Sequence, residues 1–153
     1  MLRPATPADL DAIMALEMAT FPTDAWSPAL MAEELASPHG HYLVAEDADG
    51  AIVAYAGLRA PAGSPQGDIQ TIAVAAHARR RGLGRELLTA LLDEARRRGA
   101  EEVFLEVRAD NPGAQELYRA FGFEEIAVRP NYYQPDGVDA VIMRRVESGE
   151  AAS

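Results

Sequence analysis

The segment Arg79-Arg80-Arg81-Gly82-Leu83-Gly84-Arg85 sets four arginines and two glycines within seven residues. From Leu83 onward, Leu87, Leu88, Leu91, Leu92 and Ala95 recur at helical spacing, so the segment is the turn that opens a helix. The first N–H groups of a helix have no partner inside it, glycine lets the main chain come close to a ligand, and arginine adds charge-assisted hydrogen bonds. Together these describe an anion site. It is not a Walker-type phosphate loop, which needs Gly-Lys-Ser/Thr, nor a dinucleotide fingerprint, which needs a third glycine in register after a first strand.

Glu106 is the second residue to note. Val103-Phe104-Leu105-Glu106-Val107 reads as a strand apolar on both faces but for one carboxylate, the pattern of a central strand covered on both sides. A desolvated glutamate is a better proton acceptor than an exposed one, and it is costly to keep. Two uses fit: a general base, or one half of a buried ion pair with Arg108 or Arg129. Tyr118 shares helical spacing with Ala114, Leu117 and Phe121, which by itself describes a packed core residue. His39-Gly40-His41 lacks a third clustered ligand, so no metal is expected.

These residues need a scaffold, and its elements are legible. After a short strand over residues 1–5, Thr6-Pro7 opens a helix running through Ile13, Leu16 and Glu17, and Ser27-Pro28 opens a second that stops near Ser37-Pro38. Residues 41–46 and 51–58 form a hairpin closed by Asp49-Gly50, and 67–74 the next strand. The leucine-striped helix ends at Arg96-Arg97-Arg98-Gly99, where cations complement exposed carbonyls, a structural cluster rather than a ligand site. Asn111-Pro112 starts a further helix ended by Gly122, and strands over 123–129 and 139–145 close the chain. The predicted fold is α/β of the α+β kind: a single domain with a central mixed, largely antiparallel sheet of six to seven strands flanked by about four helices.

A chain of 153 residues, 48% hydrophobic, suits one core, with a domain over 1–146 and a disordered tail over 147–153. No apolar run nears the roughly 20 residues of a membrane span, and no signal-peptide core follows Met1, so a cytoplasmic protein without a membrane partner is expected. Cysteine is absent, which excludes disulfides, thiolate ligands and a cysteine acyl-enzyme. Lysine is absent too, which excludes Schiff-base chemistry. The net charge of −10 argues against a nucleic-acid partner and suits a basic one.

The succession of strand, Arg-x-x-Gly-x-Gly turn, long helix, carboxylate-bearing strand, Asn111, Leu117-Tyr118 and Gly122-Phe123 resembles the GNAT superfamily of acetyl-CoA-dependent N-acetyltransferases. Leu105-Glu106-Val107-Arg108, Asn111, Ala114, Leu117-Tyr118, Gly122-Phe123 and Arg129-x-x-Tyr132-Tyr133 resemble its RimI branch, which acetylates the N-terminal alanine of a small-subunit ribosomal protein. The resemblance runs from about Leu2 to Arg145. It implies acetyl-CoA as cosubstrate, with backbone groups of Ile72, Ala73 and Val74 on the pantetheine and acetyl carbonyl. The turn of Arg79, Arg80, Arg81, Gly82, Leu83, Gly84 and Arg85 would hold the pyrophosphate, and Asn111 would touch the cofactor. It further implies Glu106 as general base and Tyr118 as general acid, reversing the packing reading of the tyrosine.

Trp26, Tyr132 and Tyr133, with the loop over 61–67, offer walls for a peptide groove. RimI relatives commonly carry Pro-Trp-Ser after the first helix, where this chain has Ala25-Trp26-Ser27. An α-amine, with a pKa of about 7.7–8, is roughly a tenth to a fifth neutral at pH 7, whereas lysine is neutral in well under about a thousandth. One tuned carboxylate therefore suits a peptide N-terminus, attacked directly in a ternary complex by a monomer or weak dimer. Two other readings stay open at this level: a small-molecule amine acetyltransferase of the same fold, and a non-catalytic acyl-CoA-binding module.

Overall fold

The computed structural model describes residues 1–147. Seven strands form one sheet: β1 (Leu2–Pro4), β2 (Gly40–Glu46), β3 (Ile52–Arg59), β4 (Gln66–Val74), β5 (Glu102–Arg108), β6 (Glu124–Tyr133) and β7 (Val138–Val146), in the order β1-β2-β3-β4-β5-β7-β6. All pairs are antiparallel except β4–β5. Four α-helices flank it: α1 (Leu10–Thr20), α2 (Pro28–Ala36), α3 (Leu83–Arg97) and α4 (Pro112–Ala120). Local chemistry sets the helix starts. The Ser27 hydroxyl accepts from the Leu30 N–H at 3.1 Å with Pro28 at the first position, and the Asn111 side chain does the same for Ala114 before Pro112.

The sheet separates two cores. On one face Leu87, Leu88, Leu91 and Leu92 of α3 pack on Val103, Leu105 and Met143, with Tyr118 and Phe123 joining from the α4 side. Each fully buried leucine contributes about 1.5–3 kcal/mol. On the other face Ile13, Met14 and Met31 of α1 and α2 cover Tyr42, Val44 and Tyr55 of β2 and β3. The Arg96–Arg98 cluster is structural, as its sequence reading holds: Arg97 and Arg98 both bond Glu94, and Arg98 reaches the carbonyls of His39, Gly40 and Ala60.

Three expectations need correction. β5 is not covered on both sides: Val103, Leu105 and Val107 are buried, whereas Glu106 on the alternate face is exposed. α1 and α2 lie over β2–β4 and leave that face of β5 open. The loop over 61–67 does not wall a groove along its length; Gly63 donates to the Arg98 carbonyl and Pro65 accepts from Glu101 and Glu102, placing it at the far end of α3, and only Gln66 reaches a cavity. The tail boundary also shifts by a residue, because Glu147 is buried and pairs with Arg96 at 3.0 Å and Arg145 at 2.9 Å. Residues 148–153 of the expected tail lie outside the described residues.

Candidate active site

β4 and β5 pair only over Gln66–Asp68 and Glu102–Phe104, and then separate. The separation starts beside a bulge. Along β3, Leu58 faces Ile69 and Gly57 faces Thr71, so Gln70 is the extra residue. A bulge bends its strand and shifts the alternation by one. Ile69 accordingly joins the core under α3, while Thr71 turns to the α1 side. The Tyr42 hydroxyl donates to Gln70 Oε1 at 2.8 Å and fixes the bulge. Beyond it, β4 keeps β3 as a partner on one edge and has no strand on the other through Ile72, Ala73 and Val74, so backbone groups there face the fork rather than a ladder.

Two cavities occupy the fork. The larger, about 480 Å³, is lined by Asp68 and Gln70 of β4, Phe104 and Glu106 of β5, Trp26, Arg129 and Tyr133. The smaller, about 150 Å³, runs between Thr71 and Ile72 on one side and Val107, Asn111, Ala114 and Tyr118 on the other, with Glu17 and Asp24 at its α1 side. Glu106 and Tyr133 line both, so the cavities meet at the carboxylate that the sequence singled out.

The Glu106 side chain is 35% exposed, with the Arg129 guanidinium 3.6 Å away. The expected desolvation is therefore missing; of the two ion-pair partners weighed from sequence, Arg129 is the one present, and it is itself exposed. The neighbouring Glu106 carboxylate raises the pKa of Tyr132, and Arg129 lies over the Tyr132 ring at 5.5 Å. Tyr118 is 9% exposed, meets Phe123 edge-on at 5.9 Å and is pushed up to about 12 by burial. It is thus both a packed residue and a phenol that keeps its proton beside the smaller cavity. Tyr133 is raised as well, first by burial and then by the charges of Glu106 and Asp24.

The arginine-glycine turn lies outside both cavities, at the start of α3. Gly82 adopts φ +81° and Arg80 φ +67°, both left-handed conformations. Unlike α2 and α4, α3 has no side-chain cap, so its first N–H groups are left to another acceptor. Arg85 stacks on Phe121 at 5.5 Å, and Arg79 spends its Nε on the Val74 carbonyl at 3.0 Å. An uncapped helix start among arginines, joined by an unpaired strand edge to a cavity holding a phenol, fits an elongated ligand with a polyphosphate at one end. Asn111 lines the smaller cavity but uses its side-chain oxygen to cap α4. Among the described residues no group of three or more His, Cys, Asp or Glu could hold a metal ion, and no helix is long and apolar enough to cross a membrane.

Sequence reasoning missed Glu17, Asp68 and Gln70 at the fork, and weighed Arg108 as an ion-pair partner of Glu106, a pairing the structure replaces with others. Arg108 bonds Asp24 at 3.3 Å, Asp110 at 3.0 Å and Asp136 at 2.6 Å, and lies over the Tyr133 ring at 5.1 Å. It fastens the α1–α2 loop and the β6–β7 turn to the end of β5. Glu17 is 1% exposed and accepts from the Tyr55 hydroxyl, the Thr71 hydroxyl at 3.3 Å and the Trp26 N–H at 3.0 Å. Its position on the apolar side of α1 beside Ile13 was the available signal. Asp68 and Gln70 carried only the alternation of a half-buried strand.

Residues 10–123 match the acetyltransferase (GNAT) family. The chain is 44% identical to the N-alpha-acetyltransferase RimI of Mycobacterium tuberculosis over 129 residues, 83% of this chain and 78% of that protein. It is also 44% identical over 143 residues to an uncharacterized protein of Mycobacterium leprae, covering 92% of this chain but only 39% of that protein's length. The crystal structure of the ribosomal-protein-S18-alanine N-acetyltransferase from Escherichia coli superposes with a TM-score of 0.82 at 31% identity, covering 95% of this chain and 92% of that one.

Proposed function

The chain belongs to the acetyltransferase (GNAT) family, and we propose that it transfers acetyl from acetyl-CoA to the α-amine of a protein N-terminus, an alanine on a small-subunit ribosomal protein. The observation that carries this reading is the meeting of the two cavities at Glu106, the smaller reaching Ile72 of β4 and Tyr118 and the larger lined by Trp26 and Tyr133. The names of the M. tuberculosis and E. coli relatives support the choice of amine.

In this reading the turn over residues 79–85 and the start of α3 hold the pyrophosphate, and the free edge of β4 at Ile72, Ala73 and Val74 orients the pantetheine arm. Bound acetyl-CoA supplies an activated thioester. Glu106 takes a proton from the attacking nitrogen, and the exposure of its carboxylate suits direct exchange with water as well as with substrate. Tyr118, held neutral by burial, is the proton donor for the departing sulfur. Trp26, Tyr132 and Tyr133 wall the peptide side. The protein works in the cytoplasm as a monomer or weak dimer, without nucleic acid or membrane.

The test is thiol release from acetyl-CoA with three acceptor sets: peptides with a free N-terminal alanine, N-blocked peptides carrying lysine, and polyamines. Turnover confined to the first set supports the reading. Preference for polyamines would favour a small-amine enzyme, and tight acetyl-CoA binding without release in any set would favour a non-catalytic module.

A further inference from the structure

Glu17 shares the buried side of α1 with Ile13 and Met14, and among the described residues no arginine or histidine pairs with it. Its two oxygens serve different neighbours. Oε1 accepts from the Tyr55 hydroxyl of β3 and from the Thr71 hydroxyl of β4 at 3.3 Å, one residue past the bulge at Gln70. Oε2 accepts from the main-chain N–H of Trp26 at 3.0 Å, in the loop between α1 and α2. A buried carboxylate with no cation is costly unless hydrogen bonds compensate it, and here three donors from three segments converge on one side chain.

What that side chain holds is a wall of the larger cavity. Residues 21–27 belong to no helix or strand. From the β6–β7 side the loop is fastened through Asp24 to Arg108 at 3.3 Å and through Thr23 to Asp136 at 3.3 Å. From the α1 side it is fastened at Trp26, which is half-buried, packs on the core under α1 and α2, and lines the larger cavity. Because the same carboxylate is tied to Thr71, the bond sets the position of the indole relative to β4. A wall ordered before the ligand arrives spares the ordering cost of binding.

We infer that Glu17 is a positioning residue for the amine substrate, presetting Trp26 as a wall of the larger cavity by tying the α1–α2 loop to β3 and β4. Glu17 also lines the smaller cavity, but both its oxygens are engaged with protein donors, so its action runs through Trp26 rather than through a contact of its own. The inference rests on the Nα-acetylation reading, in which the larger cavity receives the peptide.

Trp26 is the sole tryptophan, so intrinsic fluorescence reads its surroundings directly. The experiment measures acrylamide quenching, thermal midpoint, and kcat and KM for acetyl-CoA and for a peptide with N-terminal alanine, on the full chain and three variants. Glu17→Met keeps the length but leaves the Trp26 N–H without its acceptor. It should raise peptide KM about fivefold or more, with KM for acetyl-CoA unchanged and quenching increased. Glu17→Gln can accept from Trp26 with its oxygen while its amide donates to the two hydroxyls, and should stay within about twofold of wild type in peptide KM. Tyr55→Phe removes a buried bond at the same carboxylate without touching Trp26; it should lower the thermal midpoint and leave peptide KM and quenching in place. Equal changes in Glu17→Met and Tyr55→Phe, unchanged quenching in Glu17→Met, or an effect confined to KM for acetyl-CoA would overturn the inference. If Glu17→Met fails to fold, hydrogen exchange of wild type decides. The Trp26 amide should exchange at least about tenfold more slowly than those of residues 23–25, and equal rates would overturn the inference. Wild-type turnover on the peptide with Glu17→Met at the wild-type KM overturns this inference alone. Absence of wild-type turnover on it, with turnover on another amine, overturns the parent reading and this one with it.

Discussion

Glu106 on β5 and Tyr118 on α4 border the same cavity, one open to water and one sealed in packing. Replacing Glu106 by Gln keeps its size and removes the charge facing Arg129 and Tyr132. In the Nα-acetylation reading it should cost about 10²–10³ in kcat/KM with little change in thermal midpoint, because the residue is exposed and paired only at 3.6 Å. Retention of more than about a tenth of wild-type kcat/KM would remove the base role. Tyr118→Phe keeps the edge contact with Phe123 and should lower kcat while leaving both KM values in place. Type and spacing singled out Glu106, but described Tyr118 as a packed residue, and only the family resemblance gave the tyrosine a chemical role. The exposure of Glu106 was not legible, because whether a strand is covered depends on where distant helices land, and α1 and α2 come to rest over β2–β4.

At the scale of elements, the fork depends on two devices. One is the bulge at Gln70, held by Tyr42, whose ring lies where a side chain on Gly57 would be. A Cβ at Gly57 would fall 2.3 Å from that ring. Gly57→Ala should therefore destabilise the fold by about 1–3 kcal/mol, read as a lowered thermal midpoint, and should also impair activity by shifting Tyr42 away from Gln70. The other device is Arg108, which joins Asp24 of the α1–α2 loop and Tyr133 and Asp136 at the β6–β7 turn to the end of β5. Arg108→Gln should raise KM for the peptide several-fold, since it frees Tyr133 and the α1–α2 loop next to Trp26, two walls of the larger cavity. Strand and helix limits followed closely from caps and turns such as Ser27-Pro28 and Asp49-Gly50. The bulge did not, because Gln66, Asp68 and Gln70 preserve a regular alternation in the sequence while the chain slips by one against β3.

The molecule as a whole is a sheet with a core on each face, and its N-terminus is tied to the sheet edge electrostatically. Arg3 of β1 bonds Asp9 with two nitrogens, at 2.9 Å each, and Glu46 of β2 at 2.9 Å. The Arg3 hydrogen bonds hold Asp9 down at about 2, below the ordinary 3.8. A carboxylate depressed in the folded state adds stability that is present above its unfolded value and lost as pH falls through the folded one. Stability should thus decline between about pH 4 and pH 2, and Arg3→Ala should flatten that part of the profile, as followed by thermal midpoint against pH. The fold class was legible as a whole because every local signal agreed with it. The open face of β5 escaped, being a property of the assembled layers rather than of any one element.

The measurement that bears most directly on the proposed activity is fragment mass spectrometry of a peptide bearing both a free N-terminal alanine and an internal lysine, after incubation with acetyl-CoA and the full chain. The account predicts one acetyl group, on the α-amine, formed by wild type and lost with Glu106→Gln. Acetyl found on the lysine, or on the α-amine at an undiminished rate with Glu106→Gln, would contradict it.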